Sequence, residues 1–450
     1  MSYIKILYCA VFIIYGLFLS PVLYSVIHAS EHRVKVGIIG GGGAGLTLAW
    51  LLDNECQVTL FESKPTLGGH ARTVYVPING KKVAVEAGFE FFNKAMYPNF
   101  YKLLTVLKVS LSEYEFTYTF FTSDNKRLLV LPPIQPKKIF WKSFSGANIS
   151  NLLQLNYVIR KGHKLLEARD TLTTVEQFLN KLWLTGSFKD NTFLPLFCAG
   201  WGVTPHELKS FSAYNVLSYI IKNKPIGLQP SYWQEIVGGT AVYIEKLRTN
   251  IARATIKTSS SIAQILYNGK QYKIVESNGK STIVDHIVIA TDPYSARDIV
   301  KKIAHARAQY NALAQISFIQ ATIVVHDDLQ FMPQDTSCWS VANVCYNGRY
   351  SALTIYKKWK SAKPIFRSWL LPGFAKPKNI YAQETYHHPK PNQNYFKAQK
   401  LIDKLQGIHN LWFVGLYTQD IDSHESAILS ALKVGHKLAP DSQRIALLNI

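Results

Sequence analysis

Between residues 34 and 62 the spacing of apolar positions changes from one regime to another and back. Val34 to Ile39 is a short apolar run of the buried-strand kind. After a glycine cluster, Leu46, Leu48, Ala49, Leu51 and Leu52 fall at helical spacing. Val58 to Phe61 is a second strand, and it ends at Glu62. Strand, tight turn, helix and strand follow in order. Further on, alternation around the turn Asn79-Gly80 predicts a hairpin, and Tyr97-Pro98-Asn99 opens an amphipathic helix through Leu107. Residues 115–135 read as strands and 150–222 mainly as helices. Gly238-Gly239 precedes a helix, and Ile287–Ala290 is a buried strand ending in a loop. Residues 317–327 and 351–356 are strand-like, Leu411–Gly415 is a strand, and His424–Leu438 is a helix.

The glycine cluster carries chemistry. Gly40, Gly42 and Gly45 fill the pattern GxGxxG, with Gly43 and Ala44 inside it. The first glycine makes the turn, the second admits a pyrophosphate against backbone, and the third lets helix pack on strand. Phosphates would sit on the helix N-terminus, where free N–H groups and the dipole favour anions. Glu62 stands about twenty residues on, placed to accept hydrogen bonds from a ribose. With strand, helix and acid in register, a dinucleotide site is the expectation. The plainer alternative, a glycine-rich turn with nothing bound, leaves Glu62 unexplained.

A second glycine pair follows in Gly68-Gly69-His70-Ala71-Arg72-Thr73. Adjacent glycines permit close backbone approach, and Arg72 offers a permanently charged donor to phosphate. This run resembles the segment after the ribose-binding acid in the flavin-containing amine oxidase superfamily, which includes amine oxidases, carotenoid desaturases and protoporphyrinogen oxidases. Their usual form is Gly-Gly-Arg-x-x-Thr; here His70 holds the arginine place. More narrowly, the chain is similar to a bacterial family of predicted NAD/FAD-binding proteins. That likeness rests on Gly68-Gly69-His70, Ala87-Gly88-Phe89, Tyr97-Pro98-Asn99, Val237-Gly238-Gly239, Val325-His326-Asp327, Met332-Pro333, His388-Pro389 and Trp412-Phe413-Val414-Gly415 with His424-Glu425.

The resemblance implies an α/β fold with FAD as cofactor. It implies a Rossmann-type, amine-oxidase-like domain built from dispersed segments (33–92, 236–310 and 405–442), plus a mixed α+β substrate domain (93–235 and 311–404). Residues 1–32 form a separate apolar segment. Gly40–Gly45 would meet the FAD pyrophosphate, and Glu62 the adenosine ribose. The backbone near Ile262 would meet adenine, and Gly88 would lie along the isoalloxazine. Gly415 and the helix start at Glu425 would face the pyrophosphate and ribityl chain. Relatives often carry a lysine on a substrate-domain strand, bound to water at flavin N5; Gln320 falls near that place. They often carry an aromatic residue before the Glu of the last helix, where this chain has His424. Both departures point away from amine oxidation while leaving the flavin.

Titratable candidates are His326, His387, His388 and His424, since histidine titrates near neutrality. Each alone is more often structural. No metal-binding motif is visible, and His326-Asp327-Asp328 reads as a strand-end turn because adjacent strand side chains point to opposite faces. Cys9, Cys56, Cys198, Cys338 and Cys345 form no CxxC pair, which excludes a zinc ribbon or disulfide framework and fits a reducing compartment.

Composition adds two points. Hydrophobic residues make up 48% and charged ones 18%, which describes a folded chain, and 450 residues suffice for two domains. Net charge is +21, with clusters at Lys137-Lys138 and Lys357-Lys358-Trp359-Lys360 and no nucleic-acid motif. An anionic membrane surface, an acidic partner or a plain basic surface all fit. Residues 6–27 carry no charge, enough as a helix to span about 30 Å of hydrocarbon. They read as a membrane anchor, with the catalytic domain on the cytoplasmic side slightly favoured. The rival is a signal peptide cleaved near Ala29, which would export the protein. The overall expectation is an FAD-dependent oxidoreductase acting on a small, apolar or lipid-like molecule. A flavin amine oxidase, a non-catalytic lipid or protein binder on this fold and an NAD-only dehydrogenase are the alternatives.

Overall fold

The computed structural model describes residues 33–135, 138–223 and 231–448. The apolar run at 6–27 and the segment 1–32 therefore lie outside the described residues. Among the described residues no helix is long and apolar enough to cross a membrane.

Five parallel strands form the first sheet, in the order Thr255–Lys257, Gln57–Phe61, Lys35–Ile39, His286–Ile289 and Leu411–Phe413. They come from three separate stretches of chain. The central strands are apolar throughout because helices cover the sheet, leaving Ile38, Leu60, Ile287 and Val288 with no exposure. The helix Gly43–Leu52 is buried along its whole length and packs on the helix His424–Leu438. A three-stranded antiparallel meander, Ile262–Tyr267, Tyr272–Glu276 and Ser281–Val284, sits beside the strand Lys35–Ile39. The hairpin Thr73–Ile78 and Lys81–Glu86 turns at Asn79 (φ 48) and Gly80 (φ 77), the positive-φ pair that such a two-residue turn requires.

The second sheet has seven strands, ordered Ile380–Pro389, Phe318–His326, Phe366–Trp369, Ser351–Tyr356, Ala342–Tyr346, Tyr118–Thr122 and Leu128–Leu131. All neighbours are antiparallel except Ala342–Tyr346 with Tyr118–Thr122. Helices Gly146–Glu167 and Ala213–Ile221 pack on each other, with Val158 and Val216 fully buried. Together these elements make the α/β architecture that the sequence patterns imply.

Candidate active site

A cavity of about 620 Å³ lies between the C-terminal ends of the parallel strands and one face of the seven-stranded sheet. Ligands of open α/β sheets bind outside the carboxyl ends of the strands, and four of the five strands empty into this space. Gly40, Glu62, Ala290 and Gly415 mark where they do so.

One end is a cradle of backbone. Gly40 has φ 116, and a Cβ there would fall 2.6 Å from the Ala290 carbonyl oxygen. A Cβ on Gly45 would fall 2.0 Å from the Gly40 oxygen, so this glycine seats the helix on the turn. Gly42 is different. The nearest atoms to a Cβ there are the Gly68 oxygen and Gly69 Cα, each at 4.0 Å, so the space beside it is open and faces the cavity with Gly43 and Ala44. The Gly68 N–H donates to the Gly41 carbonyl at 2.8 Å, which holds the second glycine pair against the first. Glu62 is oriented by the N–H groups of Gly41 (2.7 Å) and Lys64 (2.8 Å). Ile262 lines the same end, next to Ser260 and Ser261.

These residues fit FAD. The free N–H groups at the helix start suit a pyrophosphate, the open side of Gly42 leaves room for it, and Glu62 Oε2, beside the Gly41 N–H, keeps a lone pair for a ribose hydroxyl, while Oε1 accepts from the Lys64 N–H and the Ser63 hydroxyl. Arg72 lines the cavity but is engaged, its Nε donating to Glu384 at 3.0 Å. Gly415 also lines it, with its N–H held by the Ser430 hydroxyl at 2.8 Å. Gly88 packs so close to His70 that a Cβ would fall 2.0 Å from the His70 oxygen.

The other end is a sheet face. Side chains in strands alternate, and residues paired across strands share a face. Ala321 pairs with Tyr386, Ile323 with Glu384 and Trp369, and Val325 with Arg367. Of these, Ala321, Ile323, Arg367, Trp369, Glu384 and Tyr386 line the cavity. Gln320 is on the opposite, exposed face of its strand. The expectation that Gln320 stands in the lysine place is therefore corrected by one residue: the small apolar Ala321 faces the cavity there. The fixed cation on this wall is Arg367, two strands from Tyr386, which the sequence patterns did not single out. No local signal marks it, since its strand is only Phe366–Trp369.

Histidines divide sharply. His326 is fully buried inside the sheet, its Nε2 hydrogen-bonded to the Ser368 hydroxyl and its Nδ1 accepting from the Asp328 N–H. It does not line the cavity, and burial pulls its pKa down to about 4, so it is a neutral core residue rather than an acid–base candidate. The neighbouring Asp327 pairs with Lys363 and Tyr381, and Asp328 caps a short 3₁₀ turn, as a strand end should. His424 lines the cavity, stacked on Phe89 at 4.3 Å with Nε2 at 2.9 Å from the Tyr243 hydroxyl. Burial holds its pKa at about 3, so it serves as a neutral wall. His70 stacks on Tyr386 at 4.4 Å and is likewise held neutral by burial, at about 4. His387 stacks on Tyr294 at 4.0 Å. His388 lines the cavity with its Nδ1 3.8 Å from Asp422.

Glu425 also needs correction. Its carboxylate accepts from the Asn99 and Phe100 N–H groups at 3.0 and 2.9 Å, and from the Asn99 amide. It caps the helix Pro98–Val106, turned from the cavity. The helix start still contributes through His424 and Ala427.

Comparison with known proteins agrees with this geometry. The model of the flavin-containing amine oxidoreductase family matches residues 44–327. No curated protein matches the chain in sequence. Among solved structures, cyclohexylamine oxidase from Brevibacterium oxydans IH-35A superposes with a TM-score of 0.65 at 14% identity, over 91% of this chain and 99% of that one. The CLA-producing fatty acid isomerase from P. acnes gives 0.66 at 13% identity, over 90% and 98%. A redesigned putrescine oxidase gives 0.66 at 12%, over 91% and 99%. At such identities the likeness shows a shared fold. With the family model spanning most of the chain and the cradle built for FAD, this protein belongs to the flavin-containing amine oxidoreductase family and is an FAD-dependent oxidoreductase.

Proposed function

We propose that the enzyme oxidises an apolar or lipid-like molecule rather than an amine. One observation carries this reading: every carboxylate on the cavity wall is already engaged. Glu62 is held by Gly41 and Lys64, and Glu384 by Arg72. Asp292 caps its helix through Tyr294 and Ser295. Asp422 accepts from Trp201, Asn215 and Tyr219. Each of the four already has donors within the protein, and the buried cation Arg367 would repel an ammonium. Ala321, Ile323 and Trp369 offer apolar surface instead.

Bound FAD supplies the hydride acceptor. The chain would then bind the pyrophosphate at Gly42–Ala44, hold the ribose at Glu62 and shield the reacting end from water with Phe89, His70 and Tyr386. His388, beside Asp422 and with Nδ1 3.1 Å from the Pro389 carbonyl, is the residue placed to hold a proton at the cavity. The opposing reading, an amine oxidase, draws on the names of two structural relatives, cyclohexylamine oxidase and putrescine oxidase. The fatty acid isomerase shows an apolar-chain substrate named on the same fold. Residues 6–27 would hold the enzyme at a membrane, where such substrates partition. Stopped-flow reduction of the FAD-loaded protein with a panel of monoamines and polyamines tests the reading. Slow or absent bleaching is expected; fast, saturable bleaching by a simple amine makes it an amine oxidase.

A further inference from the structure

Four buried polar groups on the cavity wall have no hydrogen-bond partner: Arg367 Nε, Trp369 Nε1, and the hydroxyls of Tyr386 and Tyr417. All four can donate. The other unpartnered buried groups among the described residues, such as the Glu90 and Glu115 carboxylate oxygens, do not line this cavity. Buried donors are almost always satisfied, so a set of orphans on residues that line one cavity points to a ligand rich in acceptor oxygens. Three of them belong to the same sheet face, Arg367 and Trp369 on one strand and Tyr386 two strands away.

The charge around Arg367 asks for more than a neutral acceptor. Arg367 is 6% exposed, and Nη2 donates to the Gly88 carbonyl at 3.1 Å. The nearby acids are spoken for. Glu90 and Glu235 pair with Lys357 at 2.9 and 2.8 Å, and Glu235 also with Lys360 at 3.2 Å, so two acids face two lysines. Glu86 is wrapped by the hydroxyls of Thr73 and Thr240, and burial raises its pKa toward the neutral form. Among the described residues, Arg367 is thus a buried cation that no carboxylate contacts as an ion-pair partner. A buried unpaired charge is costly, and a bound anion removes that cost. The oxidised flavin ring is neutral and its phosphates belong at the glycine cradle, so the cofactor does not supply this anion.

We propose that Arg367, assisted by Trp369 and Tyr386, anchors the carboxylate of an apolar substrate. Ala321 and Ile323 then flank the chain that follows the carboxylate. This rests on the apolar-substrate reading above and narrows it to acids. Guanidinium suits the task because its planar fork matches a carboxylate, whereas a lysine offers only a point charge.

The test is equilibrium binding to the FAD-loaded enzyme, read as perturbation of the oxidised flavin spectrum by dodecanoate, dodecanol or dodecylamine. Wild type should bind dodecanoate at least tenfold more tightly than dodecanol, and dodecylamine most weakly. Arg367→Met should keep its FAD and lose that preference, while Arg367→Lys should keep part of it. Dodecanol binding as well as dodecanoate overturns the anchor and leaves the apolar reading standing. Tightest binding of dodecylamine, or no binding of any probe, overturns both. Should Arg367→Met lose FAD while Arg367→Lys retains it, the charge serves the cofactor and the anchor is wrong; the wild-type comparison of acid with alcohol stands even where the variant does not fold.

Discussion

Gly42 separates cofactor binding from folding more cleanly than any other position in the cradle. Its backbone is extended (φ −76, ψ −177), a conformation open to any residue, and a Cβ there meets nothing closer than 4.0 Å. Gly42→Val should therefore fold. Valine is a poor helix N-cap, so about 1 kcal/mol of stability should be lost, no more. Its methyl groups occupy the space a pyrophosphate needs against the first N–H groups of the helix. Losing two charge-assisted hydrogen bonds at about 1.5–3 kcal/mol each removes roughly 3–6 kcal/mol, on the order of a 10²- to 10⁴-fold loss of FAD affinity. Gly45→Ala provides the contrast: with 2.0 Å to the Gly40 oxygen, the turn or helix must move, and stability itself should fall by several kcal/mol, roughly 3 or more. The assay is FAD per protein after purification, with thermal melting of both apo forms. Full FAD occupancy in Gly42→Val would falsify the placement of the pyrophosphate, and an unfolded Gly42→Val apoprotein would show that the open space is not there.

Three further outcomes follow from the geometry. Glu62→Ala should weaken FAD by about 1.5–3 kcal/mol per ribose hydrogen bond, measured by titration of the apoprotein; unchanged affinity places the ribose elsewhere. Glu425→Ala should lower thermal stability by about 1–2 kcal/mol through loss of the cap on Pro98–Val106 while FAD content holds, and the reverse pattern would return Glu425 to the cofactor site. Burial holds His70 and His326 at about 4 and His424 at about 3 in the folded protein, below the ordinary value near 6.5. The unfolded chain then binds more protons between about pH 6.5 and 4. Stability is full above that window and drops as pH falls, by up to about 1.4 kcal/mol per pH unit per histidine. Urea midpoints at about pH 7 and pH 5 should differ accordingly, and equal midpoints would mean these rings are not buried neutral.

The cradle is local in the sequence, so it could be read there. Gly40 to Gly45 and Glu62 lie within one strand–turn–helix–strand unit whose periodicities are plain, and the helix His424–Leu438 announces itself by its spacing. The reacting end is not local. Arg367, Trp369, Ala321 and Tyr386 come together only through the registers Ile323↔Trp369 and Ala321↔Tyr386, which no single segment encodes. Placing Gln320 in the lysine position failed for the same reason: a slip of one residue along a strand moves a side chain to the other face. Glu425 misled differently. An acid in the first turn of a helix suits that helix's own dipole, and only the packing of Pro98–Val106 nearby reveals what it caps. His326 looked chemical because histidines titrate, but a strand-end histidine with a serine partner and no exposure is core.

The most direct measurement of the substrate class is anaerobic bleaching of the flavin band by matched molecules sharing one apolar skeleton, with and without an amine. The engaged carboxylates and the buried Arg367 predict that the amine-free member, above all one bearing a carboxylate, reduces the flavin with saturable kinetics while the amine does so slowly or not at all. Rapid, saturable reduction by the amine alone would contradict that, and would mean an ammonium finds an acceptor in a cavity whose acids are all occupied.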